Sequence, residues 1–251
     1  VDQSDWKRPW RFLIASMLMA VPPFGVFGWA HPLTAAGILF PAAGWWGLMA
    51  MMVILILMTT RLWPATAVVV AGFWLLSLAS WEAPKRPQGW SGIDLVMGAS
   101  LGREAGFARQ RQLVEIALAY PPGSHVVLPE NALGFLTPTV GRIWQAALKD
   151  SGMTVIAGAA LIHPGGYDNV LVKLSAGESE VLYRQRMPVP GSMWQPWRSL
   201  NGAHGGARAH VFANPVVHVD GVRLAVLLCY EQLLIWPVLQ SASHRPAVIL
   251  A

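Results

Sequence analysis

The sequence predicts an α/β layered domain carried behind an N-terminal membrane-helical region. The membrane part follows from charge: no Asp, Glu, Lys or Arg occurs from Phe12 to Thr60, and none from Leu62 to Trp81. Of the 18 basic and 13 acidic residues, only six fall within the first 81 positions. The layered part follows from alternation. Beyond residue 92, short apolar strands and amphipathic helices take turns and then give way to hairpins.

A spanning helix needs roughly 20 apolar residues. The uncharged runs offer three such stretches, at 12–30, 34–59 and 64–81. Pro22-Pro23 would kink the first, and the second is long enough to tilt or to hide a re-entrant turn near Pro41. The first run, 'FLIASMLMAVPPFGVFGWA', is too long and too aromatic for a cleaved signal peptide, and two further runs follow it. The rival reading is a set of unusually apolar core helices. Lys7, Arg8, Arg11 and Arg61 all fall on one side of the three spans, whereas the loop at His31-Pro32 carries no cation. Basic residues mark the inner face, so the domain after the third span is expected on the periplasmic side of an inner membrane. Lys85 and Arg86 count against that orientation. The organisation expected is a transmembrane region at 1–81, a turn-rich linker at 82–91 and the α/β domain at 92–251. Because the chain opens without Met and stops inside the strand-like 'PAVILA', it reads as a segment of a longer protein, with that domain truncated at its C-terminal end.

Within the domain, 'IDLVMGAS' (93–100) reads as a strand and 'EAGFARQRQLVEIALAY' as a helix with apolar spacing at Phe107, Leu113, Ile116 and Ala117. 'HVVLPE' is a short strand ending in Pro129-Glu130. A helix follows over 'PTVGRIWQAALKDSG', with Gly152 as its stop, and 'MTVIAGAAL' is a buried strand. 'YDNVLVKLSAGESEVLYRQRM' gives two strands about Ala176-Gly177. 'NPVVHVDGVRLAVLLCYE' gives a hairpin across Asp220-Gly221 whose second arm runs to Cys229.

Several function classes drop out. The net charge of +5 is spread over scattered Arg and Lys residues with no basic run, which argues against nucleic-acid binding. No phosphate-binding Walker sequence and no metal-spaced His/Cys cluster occurs, so no cofactor is implied. The single cysteine cannot form an internal disulfide.

What remains is a recurring placement of polar groups at the ends of apolar strands. Glu130 emerges after Val126-Val127-Leu128, and Cys229 after Ala225 to Leu228. A thiolate is the reactive form of cysteine, and a carboxylate in a dry pocket can act as its base. Each residue also has a plainer reading. A lone cysteine in an apolar run is often a packed core residue, Glu130 could cap a turn, and Arg184 and Arg186 could form a solvated edge.

The order 'LPENAL', 'YRQRMPVPG' and 'NPVVHVDGVRLAVLLCYEQLLIWP' resembles the nitrilase, or carbon-nitrogen hydrolase, superfamily. In particular it is similar to the apolipoprotein N-acyltransferase branch, over about residues 92–251. That resemblance implies an αββα nitrilase-type sandwich and a Glu-Lys-Cys triad. Glu130 would be the base and Cys229 the nucleophile, with Glu231 a second acid near the site and Tyr230 beside the nucleophile. Cys229 would attack an acyl carbonyl, form a thioester and pass the acyl group to an amine or to water. The partner implied is a membrane lipid or another acyl or amide substrate. Relatives in this branch that serve plasmid conjugation imply protein partners in a conjugation apparatus as well.

One segment departs from the pattern. Aligning Val189-Pro190 with the family's Val-Pro puts Gln185 at the lysine position, and Gly191-Ser192-Met193 stands where Phe-Gly-Glu is usual. Gln185 can donate a hydrogen bond but brings no charge to thiolate or oxyanion. Arg184 and Arg186 flank it, and strand neighbours point to opposite faces, so both should face away unless a bulge turns Arg186 inward. Two functions are therefore expected. One is a membrane-anchored, cysteine-dependent acyltransferase or amidase with altered cation chemistry. The other is a catalytically impaired accessory or scaffold protein of a conjugation system.

Overall fold

A computed structural model describes residues 3–22, 24–27, 31–82, 87–95, 103–202 and 205–251. Pro23 of the expected kink, the Lys85-Arg86 pair and the 96–100 part of the expected strand lie outside the described residues. The chain divides into two compact units, Val1–Pro84 with Gln232–Gln240, and Lys85–Glu231 with Ser241–Ala251.

The first unit is helical: α1 Gln3–Met19, α2 Ala36–Leu39, α3 Gly44–Met58 and α4 Trp63–Ala79. No helix among the described residues is long and apolar enough to cross a membrane, which overturns the transmembrane region expected at 1–81. The physical reason lies in where the helices start and stop. α1 takes in Lys7, Arg8 and Arg11, and ends before Pro22. The expected second span is broken at Pro41, where Ala42 sits at φ +62 and parts the four-residue α2 from the 15-residue α3. Thr59 and Thr60 then bond back to the carbonyls of Ile56 and Leu57 and close α3 (both 2.7 Å). α4 has 17 residues, about 26 Å at the helical rise, against a hydrocarbon layer of about 30 Å. Absence of charge predicted the apolar composition of these helices but not their length. The core of this unit gathers Leu33, Ala36, Leu39, Met51 and Ile235.

The second unit carries the layers. A five-stranded sheet runs in the order β1 Trp90–Gly92, β2 His125–Val127, β3 Thr154–His163, β4 Gly166–Leu174 and β5 Ser179–Arg184. The first three strands are parallel, and the last two return antiparallel. The first strand is therefore 'WSG' and lies before the 93–100 stretch that the sequence favoured. α5 Arg103–Leu118 and α6 Pro138–Leu148 pack on one face through Leu113, Ala117, Trp144 and Leu148 against Val155, Ala157, Val170 and Val172. A second sheet covers the other face: β6 Val216–Val219, β7 Val222–Val226 and β8 Val248–Leu250. Its Val219, Leu224 and Val226 meet Trp90, Ile156, Leu171 and Tyr183. The hairpin turn is Asp220-Gly221, both at positive φ (+47 and +82), as a two-residue turn of this hand requires. The Asp220 carboxylate bonds His125 Nε2 (2.7 Å), tying that turn to the start of β2.

Sheet direction decides where chemistry collects. The C-terminal ends of β2 and β3 share an edge of the first sheet, and an antiparallel β4 begins at that same edge. Polar residues that end β2 and polar residues that open β4 therefore meet.

Candidate active site

Glu130 stands on the turn after β2, where the strand hands over to a loop through a Leu128 N–H bond to the Ile156 carbonyl (2.8 Å). Its backbone lies against β3 at Gly158. A Cβ there would fall 2.5 Å from Asn131 N and 2.7 Å from Glu130 Cα, so only glycine permits the approach. Glycine inside a strand commonly marks such a contact. Glu130 is exposed, not held in the dry pocket that the sequence suggested.

Cys229 follows five consecutive buried residues, Leu224 to Leu228, and is itself exposed. β7 ends at Val226, and Cys229 opens a short 3-10 helix, Cys229–Leu233, at φ +48. A non-glycine residue in that region is strained, and such strain gathers at functional sites. The bend lifts the thiol out of the core, so Cys229 is not a packed hydrophobe. Burial of its surroundings pushes the thiol pKa up, and the negative charge of the Glu130 carboxylate pushes it further. A backbone N–H from Tyr230 pulls it down, and Glu231 raises it again. The charges acting on the thiol are thus carboxylates, which disfavour the thiolate.

The structure puts Gln185 in this neighbourhood and fully buries it. Its Nε2 donates to the Leu228 carbonyl (3.1 Å), and its Oε1 accepts from Asn169 Nδ2 (3.1 Å). The same Asn169 amide donates to Glu130 Oε1 (2.7 Å). A chain of hydrogen bonds therefore runs from Glu130 through Asn169 and Gln185 to the carbonyl preceding Cys229. Gln185 gives one amide N–H to the backbone and its oxygen to Asn169, and it brings no charge to the thiol. Sequence reasoning missed Asn169, although 'DN' opening the apolar 'VLVKL' was a signal once β4 is known to be antiparallel.

Arg184 and Arg186 part company. Arg184, at the end of β5, bonds Asp168. The chain leaves the strand there, and Arg186 turns into the protein with no exposed surface. Arg186 donates to Tyr183 Oη (2.7 Å), the Val226 carbonyl (3.2 Å) and Ser241 Oγ (3.0 Å). Both arginines were expected to face away unless a bulge turned Arg186 inward; Arg186 does turn inward, and it is no solvated edge.

Glu231, also fully buried, braces the bend that carries Cys229. Its carboxylate accepts from Leu228 N (2.9 Å), Arg186 N (2.5 Å), Met187 N (3.0 Å) and Tyr183 Oη (2.8 Å). One side chain thereby fixes the segment before Cys229 against the end of β5. Burial raises the Glu231 pKa, and Arg186 with the backbone donors offsets only part of that rise. Tyr230, half-buried, contributes the N–H on the thiol, and burial raises its phenol pKa.

Beside Glu130 lies a cavity of 1110 Å³. Phe107, Leu133, Phe135, Val140 and Met193 make its apolar wall, and Arg109, Tyr167 and Asn169 supply polar groups. Arg109 Nη2 also donates to the Asn131 carbonyl (3.2 Å). The cavity is at the large end for small-molecule sites, and it reaches Glu130; Cys229 is not among its lining residues.

Comparison with known proteins places these features in context. The family model described as carbon-nitrogen hydrolase matches residues 11–251. The chain is 55% identical over 248 residues to the conjugal transfer protein TraB of Agrobacterium fabrum, covering 98% of this chain and 59% of that protein. It is 56% identical over 246 residues to the probable conjugal transfer protein TraB of Sinorhizobium fredii, covering 97% and 64%. The chain thus spans about three-fifths of the length of these curated relatives. Among solved structures, an amidase from Nesterenkonia sp. is 13% identical with a TM-score of 0.40, covering 57% of each chain.

Proposed function

The chain belongs to the carbon-nitrogen hydrolase family, and on that premise we propose that it is a cysteine-dependent acyltransferase or amidase serving a conjugation system. The observation that carries the proposal is the exposed, strained Cys229 just beyond β7, joined to Glu130 by the hydrogen-bonded chain through Leu228, Gln185 and Asn169, with the Glu130 charge acting on its thiol.

The chemistry follows from that pair. Glu130 takes the thiol proton as Sγ attacks an acyl carbonyl, so no free thiolate need accumulate. The C–S bond forms, and the carbonyl π electrons move to oxygen. When the tetrahedral intermediate collapses, the bond to the leaving group breaks and Glu130 returns the proton to it. The resulting thioester is attacked by an amine or by water, which Glu130 deprotonates in turn, and the thiol is regenerated. Glu231 does not touch the reacting atoms; it holds the bend in place. The acyl group would occupy the cavity beside Glu130, whose apolar wall suits the hydrocarbon of a lipid or of another acyl compound. The similarity to conjugal transfer proteins supports protein partners in that apparatus.

One observation favours a second reading. At the lysine position Gln185 is uncharged and bonded at both ends of its amide. A site without that cation suits an accessory or scaffold protein that keeps the fold. Intact-mass measurement after exposure to p-nitrophenyl acetate separates the readings. An enzyme site should gain one acetyl group, on Cys229, lost in Cys229→Ala and slowed in Glu130→Gln. Iodoacetamide labelling of Cys229 without any acetylation would favour the scaffold.

A further inference from the structure

Outside the thiol site, Asp168 is the most heavily bonded side chain of the second unit's polar clusters. It has no exposed surface, and it takes bonds from four residues on three elements. Arg208 reaches it with Nε (2.8 Å) and Nη2 (2.9 Å), His210 with Nε2 (3.0 Å), His163 at the end of β3 with Nε2 (3.0 Å), and Arg184 at the end of β5. None of the five serves the chemistry described above. Asp168 lies between Tyr167 and Asn169 on β4, and both neighbours line the Glu130 cavity.

The bonds lead from Asp168 to the far wall of that cavity. Arg208 and His210 belong to the connection between β5 and β6. Beside them, Ala207 pairs with Tyr167 as an added parallel bridge: Tyr167 N donates to the Gly206 carbonyl (3.0 Å), and Arg208 N donates to the Tyr167 carbonyl (2.9 Å). Ala207 N in turn donates to the Met193 carbonyl (2.7 Å), and Met193 lines the cavity. Backbone bonds at an edge of this kind are weak alone. A buried carboxylate gripped by two guanidiniums and two imidazoles is not, because charge-assisted, bidentate bonds are the strong ones.

We infer that Asp168 is a positioning residue that fastens the Met193 wall of the Glu130 cavity and so governs how large an acyl group Cys229 receives. The inference rests on the acyl-transfer reading of the site and adds selection by size to it. A firmly held wall defines the cavity for a long acyl chain, whereas a short acyl group needs little of it. The groups facing Asp168 are His163 from β3, Arg184 from β5, and Arg208 and His210 from the β5–β6 connection.

The test compares wild type, Asp168→Asn, Asp168→Glu and His210→Gln in the full 251-residue chain. The variants are assayed with p-nitrophenyl acetate and p-nitrophenyl decanoate, with iodoacetamide at Cys229, and by amide hydrogen exchange at Ala207 and Arg208. Asp168→Asn should speed exchange at those amides by roughly 10²-fold, the scale of stripping a partner from a buried charge. It should raise KM for the decanoate by about tenfold, within what misplacement of a remote contact can do, while kcat for the acetate and the iodoacetamide rate stay as in wild type. Asp168→Glu should recover part of the loss. His210→Gln removes one tie and should give the same pattern at smaller size, which covers the case that Asp168→Asn does not fold. Unchanged exchange at Ala207 in both His210→Gln and Asp168→Asn overturns the inference, and so does an equal effect on both esters. Failure of the wild type to acylate Cys229 would remove the acyl-transfer reading, and the exchange arm would then decide the fastening on its own.

Discussion

Glu231 and Asp168 are both carboxylates with no exposed surface, yet their pKa values move in opposite directions. Burial pushes both up. At Glu231 the partners are three backbone N–H groups and a phenol, and the Arg186 guanidinium lies 3.9 Å away with bonds to other groups. The rise wins. At Asp168 the hydrogen bonds and charges of Arg208 and His210 outweigh burial and hold the carboxyl well below the usual carboxylate range. Both sets of donors favour the ionised form, but only at Asp168, where donors are charged, do they outweigh burial. The first arrangement suits a brace under the strained bend at Cys229. The second suits a fastening between β3, β4, β5 and the β5–β6 connection.

The strongest way to break the comparison is Glu231→Ala. It strips the acceptor from Leu228, Arg186 and Met187 N–H groups and from the Tyr183 hydroxyl together. Removing one partner from a buried polar cluster costs about 3–5 kcal/mol, and denaturant unfolding should register a loss of that size. Retention of wild-type stability would mean that the bend supports itself.

Next in size is Glu130→Gln, which separates a base from a mere neighbour. Acyl transfer to Cys229 should fall by about 10²–10⁴-fold, the usual worth of a positioned general base. Alkylation by iodoacetamide at pH 8 should rise instead, because the charge that pushes up the thiol pKa is gone. Parallel falls in both assays would show that Glu130 acts by making thiolate in advance.

The two carboxylates should also give stability profiles of opposite slope. Asp168 has a lowered folded pKa, so its contribution is complete above the unfolded carboxylate range, near 4, and is lost as pH falls through the folded value. Glu231 has a raised folded pKa, so its contribution is present at low pH and is lost as pH rises through that value. Asp168→Asn should cost about 2 kcal/mol at pH 7, less than a dry pair, because Arg184 and Arg208 are 37% and 46% exposed and water screens them. It should also flatten the acid limb of the unfolding curve. Glu231→Gln should flatten the limb on the alkaline side of the carboxylate range. Matching slopes in the two variants would erase the distinction drawn above.

The layers, the hairpin turn and the Glu130 and Cys229 positions were legible in the sequence because each rests on local pattern: strand alternation, a turn dipeptide, a polar residue closing an apolar run. Asn169 and Asp168 were not, because their meeting with Glu130 and with Arg208 depends on β4 running antiparallel. Gly158 carried a readable signal, a glycine inside a buried strand. The N-terminal helices misled for a different reason: their apolar residues, such as Trp46 and Val68, remain exposed, and proline and threonine cut the helices short. The pairing of Arg186 with Tyr183 and Ser241 needed the chain to leave the strand at Arg184, which no periodicity reports.

The smallest expected effect tests a place where this site differs from the family pattern it resembles. Gln185→Lys would put an ammonium where Nε2 now meets the Leu228 carbonyl and Oε1 meets Asn169. That position has no exposed surface, so a charge there persists only if it is paired. Glu130, which shares Asn169 with Gln185, is the group able to pair with it. The ammonium should then offset the carboxylates acting on Cys229, lower the thiol pKa and speed alkylation at neutral pH. It should also stabilise the developing oxyanion, so that acetylation by p-nitrophenyl acetate rises more than alkylation does. The pH profile of alkylation reads the first effect, and the ratio of the two rates reads the second. A profile that stays in place would mean that a cation at residue 185 does not reach the thiol, and that the chain from Glu130 to Leu228 serves only to hold the bend.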